Sequence, residues 1–215
     1  MRNYFKRVAY ILVAASFFSS ATAIAGSYED FFRAVNRDDG DTVATLVQRG
    51  FDPNSRDPQG QTALHLALRD QSPRTANALW RSTDLDVNAL NGAGETPLML
   101  AALKGELDWA QRLLTRGARS HQEGWSPVHY AATGPEVKLL QLLVERGAPL
   151  DARSPNGTTP LMMAARYGTV DGVAYLLARG ADKSLKNDLG LDAADFAKAG
   201  GKEMLVERLR AAAAK

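Results

Sequence analysis

The 215-residue chain contains no cysteine. That excludes a disulfide framework, a thiolate nucleophile and a Cys-ligated zinc site, so stability has to come from packing alone. Histidine is scarce as well: His65, His121 and His129 are the full set, and none belongs to an H-E-x-x-H pair. No G-x-S-x-G elbow occurs. The acidic cluster Asp38-Asp39-Gly40-Asp41 lacks the alternating ligands and terminal Glu of a calcium loop and reads as a turn between helices. No catalytic residue, metal ligand or cofactor is therefore expected. Neither sign of charge dominates, with 26 basic and 24 acidic residues. Such a balance gives no electrostatic footprint for nucleic acid.

Long apolar runs are also missing, with one short exception at the start. Arg2, Lys6 and Arg7 precede an apolar stretch over 8–18, and small residues follow, ending Ala23-Ile24-Ala25. A basic start, a short apolar run and an A-x-A end are the marks of a secretory signal peptide, with cleavage expected after Ala25. Ala21-Thr22-Ala23 is a competing end two residues earlier. The run is too short for an ordinary membrane span, so the mature chain is expected to be periplasmic or secreted, with no membrane insertion. Losing three of the 26 basic residues leaves 23 against 24 acidic ones. Arginine outnumbers lysine 18 to 8, a bias that favours a bacterial periplasm over the exterior of a eukaryotic cell. In that compartment the Asn156-Gly157-Thr158 sequon is simply a turn.

What the chain does have is a repeat. Gln61-Thr62-Ala63-Leu64-His65-Leu66-Ala67 returns as Glu95-Thr96-Pro97-Leu98-Met99-Leu100-Ala101-Ala102, as Trp125-Ser126-Pro127-Val128-His129-Tyr130-Ala131-Ala132 and as Thr158-Thr159-Pro160-Leu161-Met162-Met163-Ala164-Ala165. The successive steps from Thr62 to Thr96, Ser126, Thr159 and Asp192 are 34, 30, 33 and 33 residues. A second anchor, Leu-rich and closed by Gly50, Gly117, Gly147 or Gly180, keeps pace with the first. A fixed period of this size means a solenoid whose units bury their apolar faces against each other.

Each unit has a readable physical logic. Ser or Thr before Pro starts a helix, because the hydroxyl accepts an orphan N–H and Pro loses no bond at the first position. The small Ala-Ala pair lets neighbouring helices lie close together. A second helix follows, with Val137, Leu140 and Val144 at helical spacing for the core. The closing Gly then caps it in a left-handed conformation, and turn-rich segments form a hairpin to the next unit.

These blocks resemble the ankyrin-repeat family over roughly residues 28–211. The resemblance implies an all-α ankyrin-repeat solenoid of about six helix-turn-helix units linked by β-hairpin loops. The units fall at 28–60, 61–94, 95–124, 125–157, 158–190 and 191–215, within a domain of 26–215. It implies a non-enzymatic module, monomeric, that binds a protein partner on its concave, finger-lined face. Exported bacterial ankyrin proteins of similar size also include support factors for periplasmic enzymes such as catalase, and an immunity-type inhibitor of a toxic enzyme is an equal alternative. His65 and His129 fall where the family hydrogen-bonds across repeats. The family's contact positions map here to Arg56, Gln59, Arg69, Leu90, Glu95, Leu103, Trp125, Arg153, Asn156, Arg166 and Tyr167, with Thr158 beside them.

Two units depart from the pattern. The one before Trp125 is three residues short, so its hairpin should be clipped. The second lacks the closing Gly, and its Ser82-Thr83-Asp84 stretch is expected to cap the helix with side chains. Trp80 and Trp109 read as core residues. Trp125 stands just before a helix start, next to the clipped hairpin. There it is either an interface anchor or a plug for the gap, and the residues leave both open.

Overall fold

The structure, a computed structural model, describes residues 26–211. The signal peptide expected over 1–25 lies outside the described residues, as do residues 212–215. The described residues are all-α and hold six helix pairs: α1 (26–36) with α2 (Gly40–Gln48), α3 (Ala63–Arg69) with α4 (Pro73–Trp80), α5 (Pro97–Lys104) with α6 (Leu107–Thr115), α7 (Pro127–Thr133) with α8 (Val137–Glu145), α9 (Pro160–Tyr167) with α10 (Val170–Ala178), and α11 (Ala193–Ala199) with α12 (Glu203–Arg210). They divide into two compact units. Within the described residues, one comprises 26–58 with Thr62–Leu85; the other comprises Gln59–Gln61 with 86–211.

The first unit solves the terminal-repeat problem with aromatics. Phe31 is fully buried, edge-on to Phe32 at 5.3 Å and 4.4 Å from Phe51, while the Tyr28 hydroxyl donates to the Arg56 carbonyl at 2.7 Å. The acidic cluster caps helices. Asp39 accepts from the Thr42 amide at the start of α2, and Asp38 accepts from the amides of Arg74 and Thr75 in the first turn of α4. A carboxylate at a helix N-terminus meets both the free N–H groups and the dipole. The Thr42 bonds hold the Asp39 carboxyl below the usual range. At the end of α4 no residue turns left-handed; the Ser82 hydroxyl instead accepts from the Asp84 amide at 3.3 Å.

In the second unit α5, α7, α9 and α11 stack in order, each on the next, and α6, α8 and α10 form a second row. Close approach in the first row depends on glycine. A Cβ on Gly134 would lie 2.5 Å from the Ala102 carbonyl oxygen, and one on Gly200 would lie 2.6 Å from that of Arg166. At Gly168 a Cβ would strike the Ala132 carbonyl. These glycines have negative φ where measured, so space rather than backbone freedom selects them. The core stripe of α8 is Leu139, Leu140 and Leu143, whereas Val137 and Val144 are half-buried. Trp109 is buried beneath the Arg112 guanidinium, which sits 3.8 Å from the ring centre; Trp80 is only half-buried.

The linking loops are hydrogen-bonded turns rather than hairpins of paired strands. Among the described residues there are no strands, only an isolated antiparallel bridge between Arg56 and Thr62. Asn91, Ser154 and Asn187 each donate their amide to the carbonyl four residues on, at 2.9, 3.0 and 2.9 Å. In each turn the fourth residue is a left-handed glycine: Gly94, Gly157 or Gly190. The clipped loop closes differently. The Gln122 side-chain amide donates to the Trp125 carbonyl at 2.9 Å.

Candidate functional site

The cap residues of the second unit set its inner surface. The Thr96 and Thr159 hydroxyls accept from the amides of Met99 and Met162 at 3.3 and 3.4 Å, fixing where α5 and α9 begin. His129 does more. Its Nδ1 accepts from the Ser126 amide at 3.3 Å, which leaves the proton on Nε2 to point at the carbonyls of Ala152 and Thr158, each 3.1 Å away. The ring is fully buried and ties α7 to the following loop. Met99 and Met162 reproduce only half of this: their sulfurs accept from the Thr96 and Thr159 amides at 3.4 Å, with no proton to donate onward.

Burial lowers the His129 pKa, against the raising effect of its carbonyl partners. The unfolded chain therefore takes up a proton first as pH falls below about 6.5. Stability from this site is complete above that pH and is lost as pH falls toward the folded value. His129→Met should cost about 1–2 kcal/mol at pH 7.5 through the two orphaned carbonyls. The gap to the parent should narrow by pH 5, because methionine does not titrate. Denaturant melts at both pH values measure it; a gap constant with pH would mean His129 does not couple to folding.

Around this frame Leu103, Trp125, His129, Tyr130, Thr133, Met163 and Tyr167 line a cavity of about 440 Å³. Leu103 closes α5, Tyr130 and Thr133 lie on α7, and Met163 and Tyr167 lie on α9, so three stacked helices supply the walls. Trp125 is half-buried and meets His129 edge-on, with ring centres 5.3 Å apart. It is thus packed on one side and faces the cavity on the other. The polar side-chain groups that α7 contributes to the lining are already engaged. The Tyr130 hydroxyl donates to Glu95 Oε1 at 2.9 Å, Asn91 holds Glu95 Oε2 at 2.7 Å, and Thr133 donates to the Tyr130 carbonyl at 2.7 Å. Desolvation and the Glu95 carboxylate both push the Tyr130 phenol well above its ordinary pKa, so it remains a neutral donor. Tyr167 stays 56% exposed and Leu103 40%, which is where an apolar partner gains most.

Three of the sequence candidates, Leu103, Trp125 and Tyr167, meet in this cavity. Arg166 is exposed beside them, its guanidinium 5.0 Å from the centre of the Tyr167 ring. Glu95 is half-buried and serves the cavity indirectly, by holding Tyr130. Thr158, read as a surface contact, is 2% exposed, so the place before the helix start is not a free surface there. Arg153 is exposed but donates to the Lys186 carbonyl at 2.9 Å, giving it a structural task between neighbouring loops. Asn156 accepts from Ser154 Oγ at 2.6 Å within its turn. Leu90 is 47% exposed and Gln59 exposed, and neither lines the cavity. Arg56 and Arg69 belong to the first unit, where Arg69 makes a two-point ion pair with Asp70 at 2.7 and 2.8 Å. Tyr130 and Met163 were not among the candidates. Both hold the fifth place of the repeated block, where other units carry leucine, and that departure was their signal.

Comparison with known proteins gives a consistent picture. The family description "Ankyrin repeats (3 copies)" matches residues 31–123 and 111–187. The mouse B-cell lymphoma 3 protein homolog is 34% identical over 154 residues, covering 68% of this chain and 34% of that protein. Human neurogenic locus notch homolog protein 4 is 44% identical over 95 residues, or 42% of this chain and 5% of that one. The chain thus spans about a third or less of the length of these relatives. The crystal structure of the ankyrin repeat domain of Bcl-3 superposes with a TM-score of 0.65 at 32% identity, covering 83% of this chain and 80% of that domain.

Proposed function

The chain belongs to the ankyrin-repeat family, and from that membership we propose that it is an exported binding module holding a protein partner against the cavity face of its second unit. Ankyrin repeats are non-enzymatic protein–protein interaction modules. The observation that carries the placement is the cavity itself, a largely apolar recess with aromatic walls. Aromatic side chains in such recesses supply most of the energy in protein interfaces. Trp125→Ala should weaken partner binding by about 2 kcal/mol, roughly thirtyfold, and Tyr167→Ala should do so with little effect on melting because its ring is exposed. Calorimetric titration alongside thermal melts separates binding from packing. Affinity unchanged in both variants would move the partner elsewhere.

Export rests on Arg2, Lys6, Arg7 and the Ala23-Ile24-Ala25 end. The expected mature N-terminus is Gly26, to be read by N-terminal sequencing of the periplasmic or secreted fraction. Intact Met1 on cytosolic protein would contradict it. Among the described residues no helix is long and apolar enough to cross a membrane.

A further inference from the structure

We propose that the cavity receives a large apolar side chain from an acidic segment of the protein partner, with Arg166 and Lys104 meeting the carboxylates that flank that side chain. The inference rests on the interaction reading above and adds the chemistry of the occupant.

Two observations lead to it. First, the lining is largely apolar and its inner polar groups are engaged: the Tyr130, Thr133 and His129 bonds described above are all internal, leaving the Trp125 indole N–H and the Tyr167 hydroxyl as its unengaged polar groups among the described residues. A ligand burying polar atoms away from those two groups would leave them unpaired at a cost of about 1–3 kcal/mol each, so the bulk of the inserted group is aliphatic or aromatic. Second, two exposed cations next in sequence to lining residues make no ion pair. Arg166 lies over Tyr167, and Lys104 follows Leu103 in the last turn of α5; both are exposed, and neither has a carboxylate within ion-pair distance among the described residues. Glu95 is already shared between Asn91 and Tyr130. Glu123, two residues before Trp125, is exposed and makes no ion pair with either cation among the described residues. An apolar recess with free cations beside it complements an apolar residue bracketed by Asp or Glu. The volume of about 440 Å³ lies in the range of built ligand pockets, so it admits the whole of a leucine, phenylalanine or tryptophan side chain.

A library of random dodecapeptides displayed on phage and selected on the mature chain tests this. The enriched peptides should carry an aromatic or large aliphatic residue with Asp or Glu on either side. A fluorescein-labelled copy should lose at least tenfold in affinity with Tyr167→Ala and with Arg166→Glu. The decisive arm is a charge swap: exchanging the peptide's acids for lysine should abolish binding to the parent and restore it to Arg166→Glu, which no structural role of Arg166 would produce. Enriched peptides that depend on Tyr167 but carry neutral or basic flanks would overturn the acidic occupant while leaving the interaction site in place. Peptides indifferent to both Tyr167→Ala and Trp125→Ala would remove the site as well. A dimer in sedimentation experiments that Trp125→Ala dissociates would assign the cavity to a second copy of the chain and overturn the proposal.

Discussion

Gly168→Ala is expected to destabilise the protein by about 3 kcal/mol, because the added methyl meets the Ala132 carbonyl and the Ala164 backbone where α7 and α9 touch. In a chain of this size that lowers the melting temperature by about 10 °C. Gly180→Ala is the control. Gly180 has φ near 93° with nothing within 4 Å of a new Cβ, so only the left-handed backbone is penalised, by about 1 kcal/mol. The two glycines look alike in the sequence, yet one is selected by space and the other by backbone conformation. Thermal melts of the pair distinguish them, and equal effects would mean α7 and α9 can separate without cost.

Cutting the chain after Gly190 should leave a soluble but weakened protein, with a melting temperature lower by about 10 °C and a greater tendency to aggregate. The lost residues include α11, which buries Ala193, Ala194 and Ala197 and packs on α9. In an array of nearest-neighbour contacts the removal of an end pair uncovers one interface and spares the rest. Circular dichroism of both chains decides it. An unchanged melt would mean that residues 191–215 contribute nothing to the stack.

The repeat carried most of the fold. Thr96, Thr159 and Asp192 start helices because their side chains accept the amides left free there, and that chemistry is written in the letters. The structural role of His129 was legible from its place in the repeated block, where the ankyrin resemblance implies a hydrogen bond across repeats. Other features depend on partners far along the chain. Asp38 caps a helix 36 residues away, and Arg153 bonds a carbonyl 33 residues on; residue type alone shows neither. Of the expected α8 stripe Leu140 is buried but Val137 and Val144 are only half-buried, because residues 137, 139, 140, 142, 143 and 144 are all apolar and helical periodicity selects no single face. Leu103, Trp125 and Tyr167 were singled out one by one as contact candidates, but their convergence on one cavity depends on the stacking of α5, α7 and α9. Tyr130 and Met163 were passed over because they occupy a place that elsewhere holds buried leucine, such as Leu66 and Leu100.

Site-specific photo-crosslinking in the producing cell tests the central claim most directly. A benzophenone side chain placed at Tyr167, on the cavity, is compared with one at Arg179, exposed at the end of α10. The expected result is a discrete protein adduct from position 167 that disappears when Trp125 is also replaced by alanine, with none from position 179. An adduct at 179 and none at 167 would contradict the account.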